Sequence, residues 1–398
     1  MSSDDFDALE GLDAVKGRVW PGAEAVVARL GVGEPERLRD IAVDAVAAVA
    51  ADVEAAWRAG VSAQQKSSAH DVVTQTDIVT EARLVEFLRE RTPQAVFLGE
   101  EGAGEDGVGE DGAGEGGPGT DSGAGADVDK AGVPAAGVVC WVIDPIDGTS
   151  NFVHGLPDFG ISVAAVVDGV PVAGVVRAPA LERMWRAWIG ADGVVVSQQR
   201  DFQQRTFDSA GGADAWVPCA SSGRGAESLC ALVTDHPHPE ALEVSPDAAR
   251  EFSDLVQAFA TVRRHVCTTV DVCRLASGVH DAVLGPAVKP WDIAAAALIA
   301  VGSGATWLYG GRRAGIPGPS SAPVALLSRG AGPGTSACSG AASTSDADSS
   351  SRRASDTDSG SGGSVLDAPM FLVHANGASV PTARKILNQM IARTLPND

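Results

Sequence analysis

An apolar run of strand length, Val138 to Ile143, ends on two aspartates three residues apart, Asp144 and Asp147, and Gly148 and Thr149 follow at once. A continuous apolar run of this length reads as a strand. Two carboxylates at a strand end can converge on one or two divalent cations. Gly148 lets the backbone approach a ligand closely. If a helix starts here, the amides of Gly148 and Thr149 point outward as an anion cradle. Metal carboxylates beside an anion cradle are what phosphate-ester hydrolysis needs. A plain Asp-Pro turn followed by an Asp-Gly turn fits the same spacing.

Three further segments carry carboxylates at element ends. Gly99, Glu100 and Glu101 follow the short apolar run Ala95 to Leu98, and an ordinary polar turn is the alternative reading. Asp292, in Lys289-Pro290-Trp291-Asp292, stands where an Ala-rich helix begins, so helix capping explains it equally well. A capping Asp can still offer its outer oxygen to a cation. Thr76 and Asp77 precede another helix, again a capping position, unless Asp77 instead accepts a hydrogen bond from a catalytic Thr.

Around these segments the spacing of apolar residues predicts helices over 34–60, 77–91, 270–278, 291–301 and 380–395, with a partly helical stretch over 240–259. Strands are predicted at 95–98, 138–143, 159–167, 171–178, 182–189, 281–284, 305–309 and 371–374. Asp168-Gly169 is a hairpin signal that makes 159–189 an antiparallel meander, in which Trp185 and Trp188 read as core or sheet-face residues. Blocks of helices and antiparallel strands fit a layered α+β sandwich better than a βαβ repeat. Residues 1–20 carry little pattern and read as a loose N-terminus. Residues 102–137 (Gly, Ala, Glu, Asp) and 314–364 (Ser, Gly, Ala) lack any apolar period and read as disordered insertions in one catalytic domain spanning 21–398. Loop closure entropy grows slowly enough for a fold to accept them.

The 398 residues are 44% apolar, enough for a sizeable core, and no apolar run reaches the length of a membrane span. The net charge of −22 argues against nucleic acid as the main partner. The acidic start lacks the basic and apolar regions of a secretory signal, so a cytoplasmic location is expected. The six cysteines form neither a CxxC pair nor a zinc-spaced cluster and read as reduced, mostly buried thiols.

In this order, the four acidic segments resemble the inositol monophosphatase family of magnesium-dependent, lithium-sensitive phosphomonoesterases. The resemblance covers about 35–310 and 365–395, and Asp144-Pro-Ile-Asp-Gly-Thr-Ser-Asn-Phe152 is its most specific part. It implies a five-layer αβαβα sandwich, a homodimer and two to three Mg2+ ions. It implies that Glu100, Asp144 and the carbonyl of Ile146 hold one ion, and Asp144, Asp147 and Asp292 a second, with a weaker third near Glu100. Thr149, bonded to Asp77, would orient and deprotonate the attacking water as the catalytic pair. Ile146, Asp147, Gly148, Thr149 and Asp292 would contact the substrate, with the amides of Gly148 and Thr149 on the phosphate. Lys66 and Asp71 match family positions near the metals.

Two departures concern the alcohol side of the substrate. Where the family has Gly and Ser in an Arg-x-x-Gly-Ser-x-Ala stretch, this chain has Val266 and Cys267. Inositol phosphatases place a Glu seven residues before the Trp-Asp aspartate, and here that residue is Gly285. Losing a carboxylate removes a contact of the kind that carries hydroxyl specificity. The expected substrate is therefore a small phosphorylated metabolite: inositol 1-phosphate, another polyol or sugar phosphate, histidinol phosphate or 3′-phosphoadenosine 5′-phosphate. A regulatory interaction protein that kept the fold is the reading from another class.

Overall fold

The computed structural model describes residues 13–65, 72–102, 136–202, 215–238, 241–242, 245–310 and 370–394. Lys66, Asp71 and nearly all of both expected insertions lie outside the described residues. In chain order the elements are β1 (Asp13–Val15), α1 (Ala23–Leu30), α2 (Glu34–Ala59), β2 (Ala63–Gln65), β3 (Val72–Thr74), α3 (Gln75–Arg91), β4 (Val96–Gly99), β5 (Cys140–Asp147) and α4 (Thr149–Val153). The meander follows as β6 (Gly160–Val167), β7 (Val170–Ala178), β8 (Arg183–Ile189), β9 (Val195–Asp201) and β10 (Val217–Pro218). Then come β11 (Ala231–Thr234), α5 (Ala248–Ala258), β12 (Thr261–Arg263), α6 (Thr268–Ala276), β13 (Ala282–Gly285), α7 (Pro290–Gly302), β14 (Thr306–Gly310), β15 (Met370–His374) and α8 (Pro381–Thr394).

Two sheets carry the fold. The seven-stranded sheet runs β10-β9-β8-β7-β6-β5-β4 and the six-stranded sheet β1-β14-β15-β13-β11-β12. Helices α2 and α3 cover the outer face of the first sheet, α6 and α7 lie between the sheets, and α8, with α5 against it, covers the second sheet. This is the five-layer αβαβα order. The middle helix α7 is apolar all round, as a helix between two sheets must be, and Ile293 to Gly302 are all buried. Its alanines allow close approach: a Cβ on Gly174 of β7 would stand 2.8 Å from the Cα of Ala295.

Asp168 and Gly169 both have positive φ (50° and 77°) and close the two-residue hairpin between β6 and β7. Trp185 is fully buried with its indole N–H on Ser277, and Trp188 lies under the Arg39 guanidinium, so both are structural. The reading of 1–20 as loose does not extend to its end. Asp13–Val15 pair with β14, and Trp20 is buried. Three residues are too short a period to show in sequence, and the pairing joins chain positions almost 300 apart. Among the described residues no helix is long and apolar enough to cross a membrane.

Filling the α7–β7 contact should overpack the layer. Gly174→Val is expected to cost about 2 kcal/mol, seen as a thermal unfolding midpoint several degrees below wild type. An unchanged midpoint would mean that helix and sheet do not meet this closely.

Candidate metal and phosphate site

The geometry starts from register. β4 pairs in parallel with β5, Gly99 against Ile143, and the amide of Glu100 donates to the Ile143 carbonyl at 3.2 Å, which sets Glu100 beside Asp144. β5 does not stop at Asp144, where the sequence suggested a turn. It continues to Asp147 through an irregularity: Asp144 faces Ser162 and Asp147 faces Gly160, so three steps on β5 match two on β6. In a regular strand residues three apart point to opposite faces. The extra residue restores parity and aims both aspartates to one side.

Each aspartate of the site ties one oxygen to the scaffold. Asp144 Oδ1 accepts the amide of Ile146 at 3.0 Å. Asp147 Oδ2 accepts the amide and the hydroxyl of Thr269, both at 2.6 Å, at the start of α6, with the Cys267 thiol at 3.3 Å. Asp292 Oδ2 accepts the Lys289 amide at 2.7 Å and caps α7. Asp77 closes a capping box on α3: its Oδ2 accepts the Thr74 amide at 2.9 Å and the Thr74 hydroxyl at 2.5 Å. The capping readings of Asp77 and Asp292 thus hold, and they account for one oxygen apiece. The other oxygen of Asp77, Oδ1, lies 3.1 Å from Thr149 Oγ1, which is also 3.0 Å from the Ile146 carbonyl.

The electrostatics show how closely the acids gather. The Asp144 carboxyl is held well above the usual range by burial first, then by the charges of Glu100, Asp147 and Asp292. Asp292, though part of its surface reaches solvent, is raised well above it by desolvation, then by Asp147 and, further down, Glu100, with Lys289 a weaker opposing charge. Asp147 is raised by burial against the pull of its Thr269 bonds. Asp77 is raised by burial, against the hydrogen bonds from Thr74 and Thr149. Glu100, Asp144, Asp147 and Asp292 therefore form one cluster of hard oxygen donors whose negative charges need compensation. That donor set fits Mg2+.

Gly148, φ 84°, is obligatory here: a Cβ would lie 2.9 Å from the Asp158 carbonyl and 3.1 Å from Cys267 Cβ. Cys267 is buried, and its thiol is pushed well above the usual range by burial and then by the nearby charge of Asp147. The five described cysteines are all free and buried. Sequence reasoning missed Thr269 and Glu81, which bind Asp147 and the Glu101 amide respectively. Neither sits at a telling spacing. Gly99 marks Glu81 only in three dimensions, since a Cβ at 99 would touch the Glu81 carboxyl at 2.4 Å.

The two alcohol-side departures have structural consequences. Val266 adopts φ 57°, a conformation suited to glycine and strained for a β-branched residue. The Asn151 amide holds this loop by donating to the carbonyl of His265 at 2.5 Å. At Gly285, a Cβ would fall 2.1 Å from the Phe371 ring, which stacks on Trp307. Phe371 is the cross-strand partner of Gly285, so its ring fills the space where another residue would have a side chain.

A family model for the inositol monophosphatase family matches residues 34–330. An inositol-1-monophosphatase of Mycobacterium bovis is 31% identical over 295 residues, spanning 72% of this chain and 88% of its own length. A Nus factor SuhB of Pasteurella multocida is 30% identical over 234 residues, 58% of this chain and 69% of that protein. Among solved structures, the extragenic suppressor protein suhB of Bartonella henselae shares the fold with a TM-score of 0.55 at 17% identity, covering 90% of this chain and all of its own. An IMPase/NADP phosphatase solved with Mg2+ and phosphate shares it with a TM-score of 0.51 at 15% identity, covering 89% and 95%.

Because the clustered carboxyls are raised above the 3.8 of a free Asp, the folded state holds protons there that the unfolded chain has released. Their charging therefore lowers stability as pH rises from about 4 upward. A divalent cation binds the charged form and reverses this. The Mg2+-induced rise in unfolding midpoint is expected to be larger at pH 8 than at pH 5. Equal rises at both pH values would show that these carboxyls do not hold the ion.

Proposed function

This chain belongs to the inositol monophosphatase family, and on that premise we propose that it hydrolyses a small phosphate monoester with Mg2+ bound at Glu100, Asp144, Asp147 and Asp292. The observation that carries the reading is the gathering of these four carboxylates, two of them brought to one side by the irregularity in β5. Bound Mg2+ would supply charge neutralisation at the phosphoryl oxygens and a lowered pKa for the attacking water.

The chain's own groups do the rest. Thr149 has one hydroxyl proton and two acceptors for it, Asp77 Oδ1 and the Ile146 carbonyl. With the proton engaged on that side, an oxygen lone pair is left to accept from the attacking water and fix its orientation. Burial makes Asp77 a readier proton acceptor than a free carboxylate. The carbonyl of Ile146 has a second lone pair for the cation. Asp147 and Asp292 are steadied by the starts of α6 and α7, which leaves their second oxygens for metal and substrate. The amides of Gly148 and Thr149, set by the positive φ of Gly148, would receive the phosphate.

On the alcohol side, Gly285 under Phe371 leaves no room for the carboxylate that inositol phosphatases use. Inositol 1-phosphate is therefore one candidate beside histidinol phosphate, a sugar phosphate and 3′-phosphoadenosine 5′-phosphate. The relative named a Nus factor supports a second reading, a regulatory protein on the same fold.

Phosphate release from a panel of these esters, with Mg2+ and with chelator, separates the readings. Mg2+-dependent release is expected, falling about a thousandfold in Asp144→Asn and about a hundredfold or more in Thr149→Ala. No release from any ester by a protein that still binds Mg2+ would favour the regulatory reading.

A further inference from the structure

A second group of side chains able to ligate a metal lies outside the carboxylate cluster. His265, Asp271 and His280 each offer a ligand atom, and the three atoms lie within 4.8 Å of one another. His265 stands on the loop that enters α6, Asp271 in the first turn of α6, and His280 in the turn before β13. His265 Nδ1 and Asp271 Oδ1 are 2.6 Å apart, and His280 Nε2 is 3.8 Å from the same oxygen. The imidazole centroids are 5.5 Å apart.

A hydrogen-bonded His–Asp pair explains His265 and Asp271 but not His280. The His280 ring is at least nine-tenths buried, and its Nε2 has no hydrogen-bond partner while aimed at the shared carboxylate oxygen. A buried polar atom left without a partner is costly. Its burial also pushes the His280 imidazole down to about 4, so the ring is neutral and keeps a lone pair at physiological pH. Arg274 lies 3.9 Å from Asp271 Oδ1 and is paired with Asp158 at 2.5 Å, while Asp235 adds to the negative charge around Asp271.

We propose that His265, Asp271 and His280 form a transition-metal site of the zinc class, separate from the Mg2+ carboxylates. Two imidazoles and one carboxylate, with a fourth position for water, are a common zinc donor set. At zinc bond lengths of about 2.0–2.2 Å, ligand atoms around a tetrahedral ion stand about 3.4 Å apart. The observed separations of 2.6 and 3.8 Å bracket that value, so small side-chain rotations would seat the ion. The site would tie together three points of the chain. One is the first turn of α6, whose Thr269 amide and hydroxyl hold Asp147. An ion here would therefore brace the loop that positions a proposed Mg2+ ligand, without being part of the chemistry.

The test is zinc uptake by the full chain in equilibrium dialysis, with millimolar Mg2+ present to hold the carboxylate cluster, read by elemental analysis. Wild type and Asp144→Asn should each bind one Zn2+ per chain and unfold at a higher temperature with it. His265→Ala and His280→Ala should weaken uptake at least tenfold and lose that shift. Uptake unchanged in His265→Ala would overturn the site, and so would uptake lost in Asp144→Asn, which would place the ion at the carboxylates. His265 lies nearer the surface than His280, so His265→Ala decides the matter if His280→Ala does not fold. Co2+ gives an independent readout. Visible absorption of a tetrahedral ion in wild type that vanishes in His265→Ala supports the site, and its absence from wild type contradicts it.

Discussion

Four carboxylates brought close together repel one another when charged, and the structure around them is arranged to hold that repulsion in place. Asp144 is buried and raised by the charges of the other three. Each aspartate has one oxygen fixed by a hydrogen bond: to the Ile146 amide for Asp144, to the start of α6 for Asp147, to the start of α7 for Asp292. Helix starts favour negative charge, so these tethers offset part of the repulsion as well as fixing geometry. Asp77 repeats the device at the start of α3, with its second oxygen on Thr149. The layers then follow. The two sheets and three helices must be stacked closely enough to deliver these ends to one point, and the Gly174–Ala295 contact shows how tightly the middle helix is drawn in.

Much of this was legible in the sequence, for a physical reason. The apolar period of Glu34–Ala59 and the apolar run before Asp144 are determined by burial, and burial is written in residue type. The hairpin at Asp168-Gly169 was legible because positive φ at two successive positions demands those residues. The irregularity in β5 was not legible. Pro145 reads as a turn, and only pairing with β6 shows that the strand continues beyond it. Strands β11 and β12 are three or four residues long and pair with partners distant in sequence, so no local pattern marks them. Thr269 escaped for a similar cause, since its bond to Asp147 joins positions 122 apart.

The two positions expected to face the alcohol differ in kind from the carboxylate cluster. Val266 pays with a strained backbone for a loop held by Asn151, and Gly285 is closed over by Phe371. On the proposed function, the carboxylates and their tethers would set the reaction type, and these two positions would bear on what is attached to the phosphate. The chain keeps the carboxylate set expected of the family and departs at the two positions expected to face the alcohol, so family membership alone does not name its substrate.

The extra residue in β5 is proposed to turn Asp144 and Asp147 toward one ion. The most direct measurement is anomalous diffraction from crystals grown with Mn2+ in place of Mg2+. An ion coordinated by both Asp144 and Asp147, with Asp292 completing the set, is the predicted result. An ion bound by Asp144 with the Asp147 carboxylate turned away would contradict it.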